Sequence, residues 1–453
     1  MKIILLSGGS GKRLWPMSND ARSKQFLKIL KNQEDEDESM VQRVYGQLQR
    51  VGLGDSVTIA TSANQVDLIR AQLGEGVNVV LEPERRDTFP AIALACANLH
   101  SVQGVPRHEV VVVIPVDPFV DLAYFRKILE LEPLVKDGGY DMALMGVKPT
   151  YPSEKYGYII PQGIGVKEFK EKPDLQGAKA LLKEGALWNC GVFAFQLGYI
   201  LDLVEKQGHP SDYEKVYESY GSFHKISFDY EVVEKADNVA VIEFSGMWKD
   251  LGTWNTLTEH IENNVTGKAL CSQSSTNTHV INELDIPVAV LGIKNAIVAV
   301  SPDGILVSDK HDSSYIKQYA DQFVSRPMYE ERRWGSYKVL DYVTKEDGQK
   351  ILTKYIKMNT GKNVSYQIHK KRQEIWTIVS GRGDFLLDGN RQRVEAGQVV
   401  MIPKGAKHSI YSIENLEFIE VQLGEELIEE DIERLAYEWA DILVYDKEVI
   451  DGR

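Results

Sequence analysis

Residues Ile3-Ile4-Leu5-Leu6-Ser7-Gly8-Gly9-Ser10-Gly11-Lys12-Arg13-Leu14-Trp15-Pro16 decide how this chain is read. Four apolar residues make a short buried strand, and the glycines after them make a sharp turn. Closely spaced glycines let backbone N–H groups face inward and hold an anion, because no Cβ blocks the approach. Arg13 brings a guanidinium to that turn, and Lys24 in Ser23-Lys24-Gln25-Phe26-Leu27 adds a second cation. Two commoner nucleotide motifs do not fit. The dinucleotide fingerprint requires G-x-G-x-x-G at a helix start, and the Walker loop requires Gly-Lys followed by Ser or Thr. Here Gly11-Lys12 is followed by Arg13.

Outward from this turn, strand-like runs at 57–60, 77–81 and 109–115 alternate with helical patterns at 40–51, 65–73 and 90–99. That alternation predicts a doubly wound, Rossmann-like α/β sheet, which binds ligands at the carboxyl ends of its strands. The acidic run 31–38 reads as a solvated loop. Near Asn263 the texture changes to short strands (280–281, 288–291, 297–300, 305–307) broken by Gly, Asn and Pro, a small β-rich connector. After Arg332-Arg333-Trp334-Gly335 come strands at 350–358, 376–379, 383–387, 398–402 and 418–421, which suggest a barrel or jelly roll. In the tail, Ile432, Leu435, Ala436, Trp439, Ile442 and Leu443 share a helical face, expected to dock on its own domain or a twin subunit. The predicted division is 1–262, 263–322 and 323–453, the last ending in that helix.

Composition sets limits. A chain of 453 residues is expected to form two or three domains, and 43% hydrophobic with 26% charged residues is ordinary for globular protein. The net charge of −14, without a basic tract, argues against a nucleic-acid partner. Local cations can still serve an anionic small substrate. Cys96, Cys190 and Cys271 lie far apart, in no disulfide or thiolate–metal pattern, which suits a reducing compartment. The opening apolar run is too short for a signal core, and no stretch approaches the ~20 apolar residues of a membrane span. A cytoplasmic protein without a membrane partner is expected.

Residues 7–16 resemble the G-G-x-G-T-R-L-W-P signature of sugar-nucleotide pyrophosphorylases, specifically mannose-1-phosphate guanylyltransferases. Further matches follow in order: Glu82-Pro83 to Ile92 is similar to E-P-x-x-R-N-T-A-P-A-I, and Phe169-Lys170-Glu171-Lys172-Pro173 to F-V-E-K-P. Trp188-Asn189-Cys190-Gly191-Val192-Phe193 is similar to W-N-S-G-I-F, and Trp248 to Trp254 to W-x-D-V-G-S-W. The resemblance implies attack of a sugar 1-phosphate on the α-phosphorus of GTP, giving GDP-mannose and pyrophosphate. It implies Arg13, Lys24, Asp117, Lys172 and Asp250 as catalytic residues, with Mg²⁺ on Asp117 and Asp250. Leu6, Ser7, Gly8, Gly9, Gly11, Lys12, Glu82, Arg86 and Asp87 would hold the nucleotide. Gly157, Glu171, Lys172 and Asn189 would hold the sugar phosphate. Chemistry adds a reason for Glu82: an acceptor-only carboxylate can receive guanine's adjacent N1–H and N2–H donors. Lys12 stands for the family's Thr, Ser23 for Pro, Asp87-Thr88-Phe89 for Asn-Thr-Ala, and Pro118 for a frequent His. Another base or sugar therefore stays open. A left-handed β-helix-like connector and a homodimer are also expected.

The C-terminal part fits the cupin pattern of a glycine, five residues, H-x-H, three or four residues, Glu, six residues and Gly. Gly361, Gln367, His369, Glu374 and Gly381 stand in that register, with Gln for the first His. Gly397, Pro403, Gly405 and His408 supply the second half. Gln367, His369, Glu374 and His408 therefore make a candidate N/O site for Zn²⁺ or another divalent first-row metal. The region resembles the type II phosphomannose isomerase domain, through residues 333–337 and through 367–376, similar to Q-M-H-H-H-R-A-E-H-W. That implies interconversion of mannose 6-phosphate and fructose 6-phosphate, with Arg372 at the substrate end. Lys370, Lys371 and Ile375 replace histidines of the pattern. An active isomerase and a non-catalytic sugar-binding or regulatory cupin are both compatible with these residues.

Overall fold

The first apolar run forms β1 (Lys2–Leu6), followed by α1 (Met40–Arg50), β2 (Val57–Ser62), α2 (Val66–Leu73), β3 (Asn78–Glu82), α3 (Thr88–Ser101) and β4 (Val110–Pro115). The structure is a computed structural model and describes residues 1–453 apart from 10, 20, 137, 138, 262, 324, 325 and 451–453. Ser10 of the glycine turn, Glu262 at the expected boundary and the last three residues thus lie outside the described residues. Strand β1 pairs in parallel with β2 on one side and β4 on the other. Alternate residues of a strand face opposite ways. Accordingly Ile3 and Leu5 join the core that buries Met40, Val41, Val44 and Leu48 of α1. Ile4 joins the core that buries Ile92, Leu94 and Leu99 of α3. Helices cover both faces, which requires Ile3, Ile4 and Leu5 all to be apolar.

Local chemistry fixes these helix starts. Ser39 accepts from the Gln42 amide while Gln42 reaches back to the Ser39 amide, a capping box before α1. Asp87, at φ 69°, caps α3 through the Thr88 amide.

The sheet continues through β5 (Met142–Val147), β6 (Tyr158–Gln162), β7 (Gly165–Lys170), β8 (Leu187–Gln196) and β9 (Val239–Phe244). Its strand order is β3-β2-β1-β4-β8-β5-β9-β7-β6. Strand β8 runs antiparallel to β4, so the sheet is parallel through its first four strands and mixed beyond. The order reverses between β1 and β4, and ligands of such sheets bind outside the strand ends at that point.

In the connector, Val265–Thr266, His279–Asn282 and Ala296–Ser301 pair in parallel, as do Ala269–Cys271 and Val288–Val290. Gly304–Asp309 closes it as an antiparallel edge. The acidic run 31–38 turns between two short paired strands, Leu30–Lys31 and Asp37–Glu38.

The C-terminal part is a cupin-like β-structure. Arg372–Leu387 and His408–Gly424 pair antiparallel along nearly their whole length. The expected strands 376–379 and 383–387 are one strand, because register shifts around Ser380 and Arg382 bend it without breaking the pairing. The tail reading is corrected in part. Glu433–Ala436 is a strand against Tyr366–Ile368, and only Trp439–Ile450 is helical. Leu435 and Ala436 pack from that strand, and Ile442 from the helix, on Tyr366 and Leu386. A spacing of three or four apolar residues over so short a run does not tell one arrangement from the other. No described helix is long and apolar enough to cross a membrane.

Candidate active site and metal centre

The turn after β1 is held by side chains that donate to its backbone carbonyls. Gln25 donates to the Ser7 carbonyl at 2.7 Å, and Ser23 Oγ to the Gly9 carbonyl at 3.0 Å. Gln65 donates to Ser23 Oγ at 2.6 Å and to the Gly9 carbonyl at 3.3 Å. Gly11 packs so closely that a Cβ there would lie 2.4 Å from Ser23 Cα. Leu6 and Ser7 end the strand, Arg13 is exposed on the turn, and Lys12 pairs with Asp321 at 3.3 Å.

Asp117 follows β4 and opens a short ribbon, Pro118–Val120, that pairs antiparallel with Trp248–Asp250. The register sets Asp250 opposite Pro118, which brings two carboxylates distant in sequence to one place. Lys24 Nζ joins them, 2.7 Å from Asp117 Oδ2 and 3.9 Å from Asp250 Oδ1. Burial opposes charge on Lys24, yet Asp117 and Asp250 outweigh it and raise the lysine pKa. Burial also works against ionised Asp117, and the Lys24 ammonium overcomes it, so that pKa is lowered. Asp250 Oδ1 is buried without a hydrogen-bond partner. Two carboxylates, one with an unused buried oxygen, suit a small hard cation that keeps its remaining positions for phosphate and water.

A cavity of about 280 Å³ opens beside this cluster, lined in part by Asp117, Gly157, Glu171, Lys172, Asn189 and Asp250. Lys172 lies 2.7 Å from Glu171 Oε1, whereas the buried Glu171 Oε2 has no partner. Such an orphaned acceptor is costly unless a ligand hydroxyl fills it. Gly157 is required by the close approach: a Cβ there would lie 2.4 Å from Glu171 Oε2. Asn189 donates to Asp229 at 2.7 Å. Burial, then the charge of Glu171, pushes Asp229 up to about 7. Trp248 also lines this cavity, as do Asp229 and Tyr156, which no local pattern in the sequence marks.

Glu82, the last residue of β3, is buried against the turn; a Cβ on Gly8 would lie 2.9 Å from Glu82 Oε1. Tyr220 donates to Glu82 Oε2 at 3.0 Å. Burial pushes the carboxyl up to about 7, against the Tyr220 hydrogen bond and the Arg85 charge. Arg86 and Asp87 are engaged elsewhere. Arg86 donates to the Phe223 carbonyl at 2.7 Å and to Glu84 at 2.9 Å, and Asp87 caps α3.

In the cupin-like part, one ligand atom each from His369, Glu374 and His408, all buried, lies within 4.8 Å of the others. The strand His408–Gly424 contributes one histidine, Arg372–Leu387 the glutamate, and the segment between Tyr366–Ile368 and Arg372 the other. His369 Nδ1 lies against the Asp431 carbonyl, and His408 Nδ1 is 3.2 Å from the Ala406 carbonyl. Those contacts assign the Nδ1 protons and turn both Nε2 lone pairs inward, as metal-binding histidines require. Burial lowers the His369 pKa to about 4 and lowers that of His408, so both imidazoles are neutral at pH 7. Gln367 is 3.1 Å from His369 and 3.4 Å from His408 through its amide nitrogen, so exchange of its amide N and O is needed for it to serve as an oxygen ligand. Lys370 and Lys371 pair with Glu433 and Glu426 at 2.7 and 2.6 Å, outside the cluster. Arg372 lines the cavity beside this cluster with its donors engaged inside the protein. It donates to Glu374 at 2.8 Å and to the carbonyls of Ile428 and Asp431 at 3.1 and 3.2 Å, and lies 3.2 Å from His369 Nε2.

A glycine turn at a sheet's switch point, with a Lys–Asp–Asp cluster at the next strand end, is an arrangement suited to nucleotidyl transfer. A family model described as nucleotidyl transferase matches residues 2–266, more than half of the chain, and the chain belongs to that family. A second, described as mannose-6-phosphate isomerase C-terminal, matches residues 321–437. The chain is 30% identical to a xanthan biosynthesis protein, XanB, of Xanthomonas campestris over 471 residues, 95% of this chain and 97% of the relative. It is 29% identical to the mannose-1-phosphate guanylyltransferase of Escherichia coli over 483 residues, 96% and 97% of the two chains. A solved Thermus thermophilus structure, titled as a mannose-1-phosphate geranyltransferase, superposes with a TM-score of 0.58 at 27% identity, over 71% of this chain and 98% of that one.

Proposed function

We propose that this chain transfers a guanylyl group from GTP to mannose 1-phosphate, forming GDP-mannose and pyrophosphate. The observation that carries this reading is the Lys24–Asp117–Asp250 cluster between the glycine turn and the Glu171–Lys172 cavity. A phosphate oxygen of the sugar 1-phosphate attacks the α-phosphorus, the bond to the bridging oxygen of the β-phosphate breaks, and pyrophosphate leaves with that electron pair. Such a transfer asks mainly for alignment and charge neutralisation. Asp117 and Asp250 would hold Mg²⁺, which when bound neutralises charge on the phosphate oxygens. Lys24 keeps the two carboxylates compatible, and Arg13 and the turn amides, with Lys12, meet the β- and γ-phosphates. Lys172 takes the incoming phosphate, while Glu171 and Asn189 take sugar hydroxyls. Glu82, in its ionised form, accepts from guanine N1–H and N2–H. Arg86 and Asp87 shape the entrance from their positions on Phe223 and α3.

The reading divides the chain into 1–262, 263–322 and 323–453. The two parallel ladders of the connector support a left-handed β-helical coil there, and His369, Glu374 and His408, with Gln367, support Zn²⁺ or a similar divalent ion. The outward positions of Lys370 and Lys371 favour a cupin that isomerises mannose 6-phosphate over one that only binds sugar. A homodimer in the cytoplasm completes the proposal. Pyrophosphate release is measured over a panel of nucleoside triphosphates and sugar 1-phosphates. GTP with mannose 1-phosphate should be used at least about tenfold better than any other pair; equal use of UTP or dTTP removes the role given to Glu82.

A further inference from the structure

A polar cavity of about 500 Å³ beside the cupin cluster is not enclosed by the cupin alone. Its wall includes Ala63, Asn64, Val66, Asp67 and Arg70 from the transferase part, facing Gln367, Arg372, Glu374 and Arg434. Helix α2 packs against the strand Tyr329–Arg332 that leads into the cupin. Glu75, just after that helix, lies 3.4 Å from Lys362 and ties the two parts together.

The cations of this cavity differ in what they have left to offer. Arg372 spends its donors on Glu374, two backbone carbonyls and His369. Lys354 is 3.0 Å from Glu429 and lies over the Tyr337 ring. Arg332 pairs with Glu330, and Arg333 donates to the Tyr437 carbonyl at 2.7 Å and to Glu438 at 3.2 Å. Among the described residues Arg70 has only a 3.6 Å approach to Glu75 through Nε, with no hydrogen bond from either terminal nitrogen. Arg434 makes no ion pair among the described residues. Guanidinium forks with open donors are the groups that bind phosphate in two-point contact.

We propose that the cavity takes a phosphorylated sugar whose phosphate is held by Arg70 of the transferase part together with Arg434 of the cupin. The sugar's other end lies toward Gln367 and Glu374, and the site is incomplete without helix α2. This inference rests on the proposal that the cupin handles a sugar phosphate. The placement also joins the two sites physically. The turn that precedes α2 grips the nucleotide loop through Gln65 and presents Asn64 to the cupin cavity.

The test is calorimetric titration of mannose 6-phosphate, and of mannose as the uncharged control, into the full-length chain with GDP-mannose and Mg²⁺ saturating the transferase cleft. Arg70→Ala and Arg434→Ala should each weaken mannose 6-phosphate binding about tenfold or more while leaving mannose unchanged, and Arg70→Lys should restore part of the loss. Thermal midpoints and GTP turnover of the same variants establish that they are folded. Binding of mannose 6-phosphate that neither alanine variant alters overturns the role of Arg70 and Arg434 and leaves the cupin reading standing. Failure of the unaltered chain to bind mannose 6-phosphate overturns both.

Discussion

Lys24 Nζ sits 2.7 Å from Asp117 Oδ2, bridging a residue just past the glycine turn to one just past β4. The contact lies at the point where the strand order reverses, and it carries the second carboxylate, Asp250, through the ribbon opposite Pro118. The ammonium is what holds the Asp117 pKa down against the pull of burial.

Removing either acid should therefore cost catalysis more than binding of the sugar. Asp117→Asn and Asp250→Asn are each expected to lower kcat about a hundredfold to a thousandfold, with the KM for mannose 1-phosphate little changed. Steady-state pyrophosphate release at saturating Mg²⁺ measures this; a loss below about fivefold in both would remove them from the reaction.

Gly157→Ala should act in the opposite sense. The new Cβ meets Glu171 Oε2, so the sugar subsite shrinks while the nucleotide cleft is untouched. The expectation is a rise in KM for mannose 1-phosphate of about tenfold or more, with the Kd for GTP unchanged by calorimetry.

Glu82 gives a pH dependence with a definite sign. Its carboxyl is raised from 4.5 to about 7 in the folded protein, so the folded state holds that proton more tightly than the unfolded chain. Its contribution to stability is complete below pH 4.5 and is lost as pH rises through 7. Glu82→Gln should therefore be the more stable protein at pH 8 to 9, by up to about 3 kcal/mol in denaturant melts. The proposed guanine reader is the ionised form, so GTP affinity of the unaltered chain should fall from pH 8 to pH 6, and that of Glu82→Gln should not.

For the cupin, His369→Ala or His408→Ala should abolish stoichiometric metal, measured by elemental analysis of the purified chain. GTP-dependent pyrophosphate release should persist at about its original rate, since the proposed transfer site at Asp117 and Asp250 lies in the other part of the chain. Metal retained at full occupancy by both variants contradicts the proposed ligand set.

Much of this architecture could be read from local pattern. Ile3 to Leu6 could be recognised as a buried strand because both faces of β1 meet helices, and the cupin register because its glycines and ligands recur at fixed spacing. The tail was less legible. Ile432, Leu435 and Ala436 carry a helical spacing, yet the free edge of Tyr366–Ile368 supplies backbone partners that propensity does not foresee. Asp229 and Tyr220 were hidden for a similar reason: each acts on Asn189 or Glu82 across a distance in sequence that only the assembled sheet closes. Arg372 stands at a substrate-end position of the pattern, and its contacts with Glu374 and nearby carbonyls form only once the strand folds.

The most direct measurement is a crystal structure of the chain with Mn²⁺, a non-hydrolysable GTP analogue and mannose 1-phosphate, with anomalous scattering used to locate the ion. One peak is expected at Asp117 and Asp250, with the sugar phosphate on Lys172. An ion bound elsewhere, with Arg13 and Asp117 facing away from a shared cavity, would contradict the proposed transfer site.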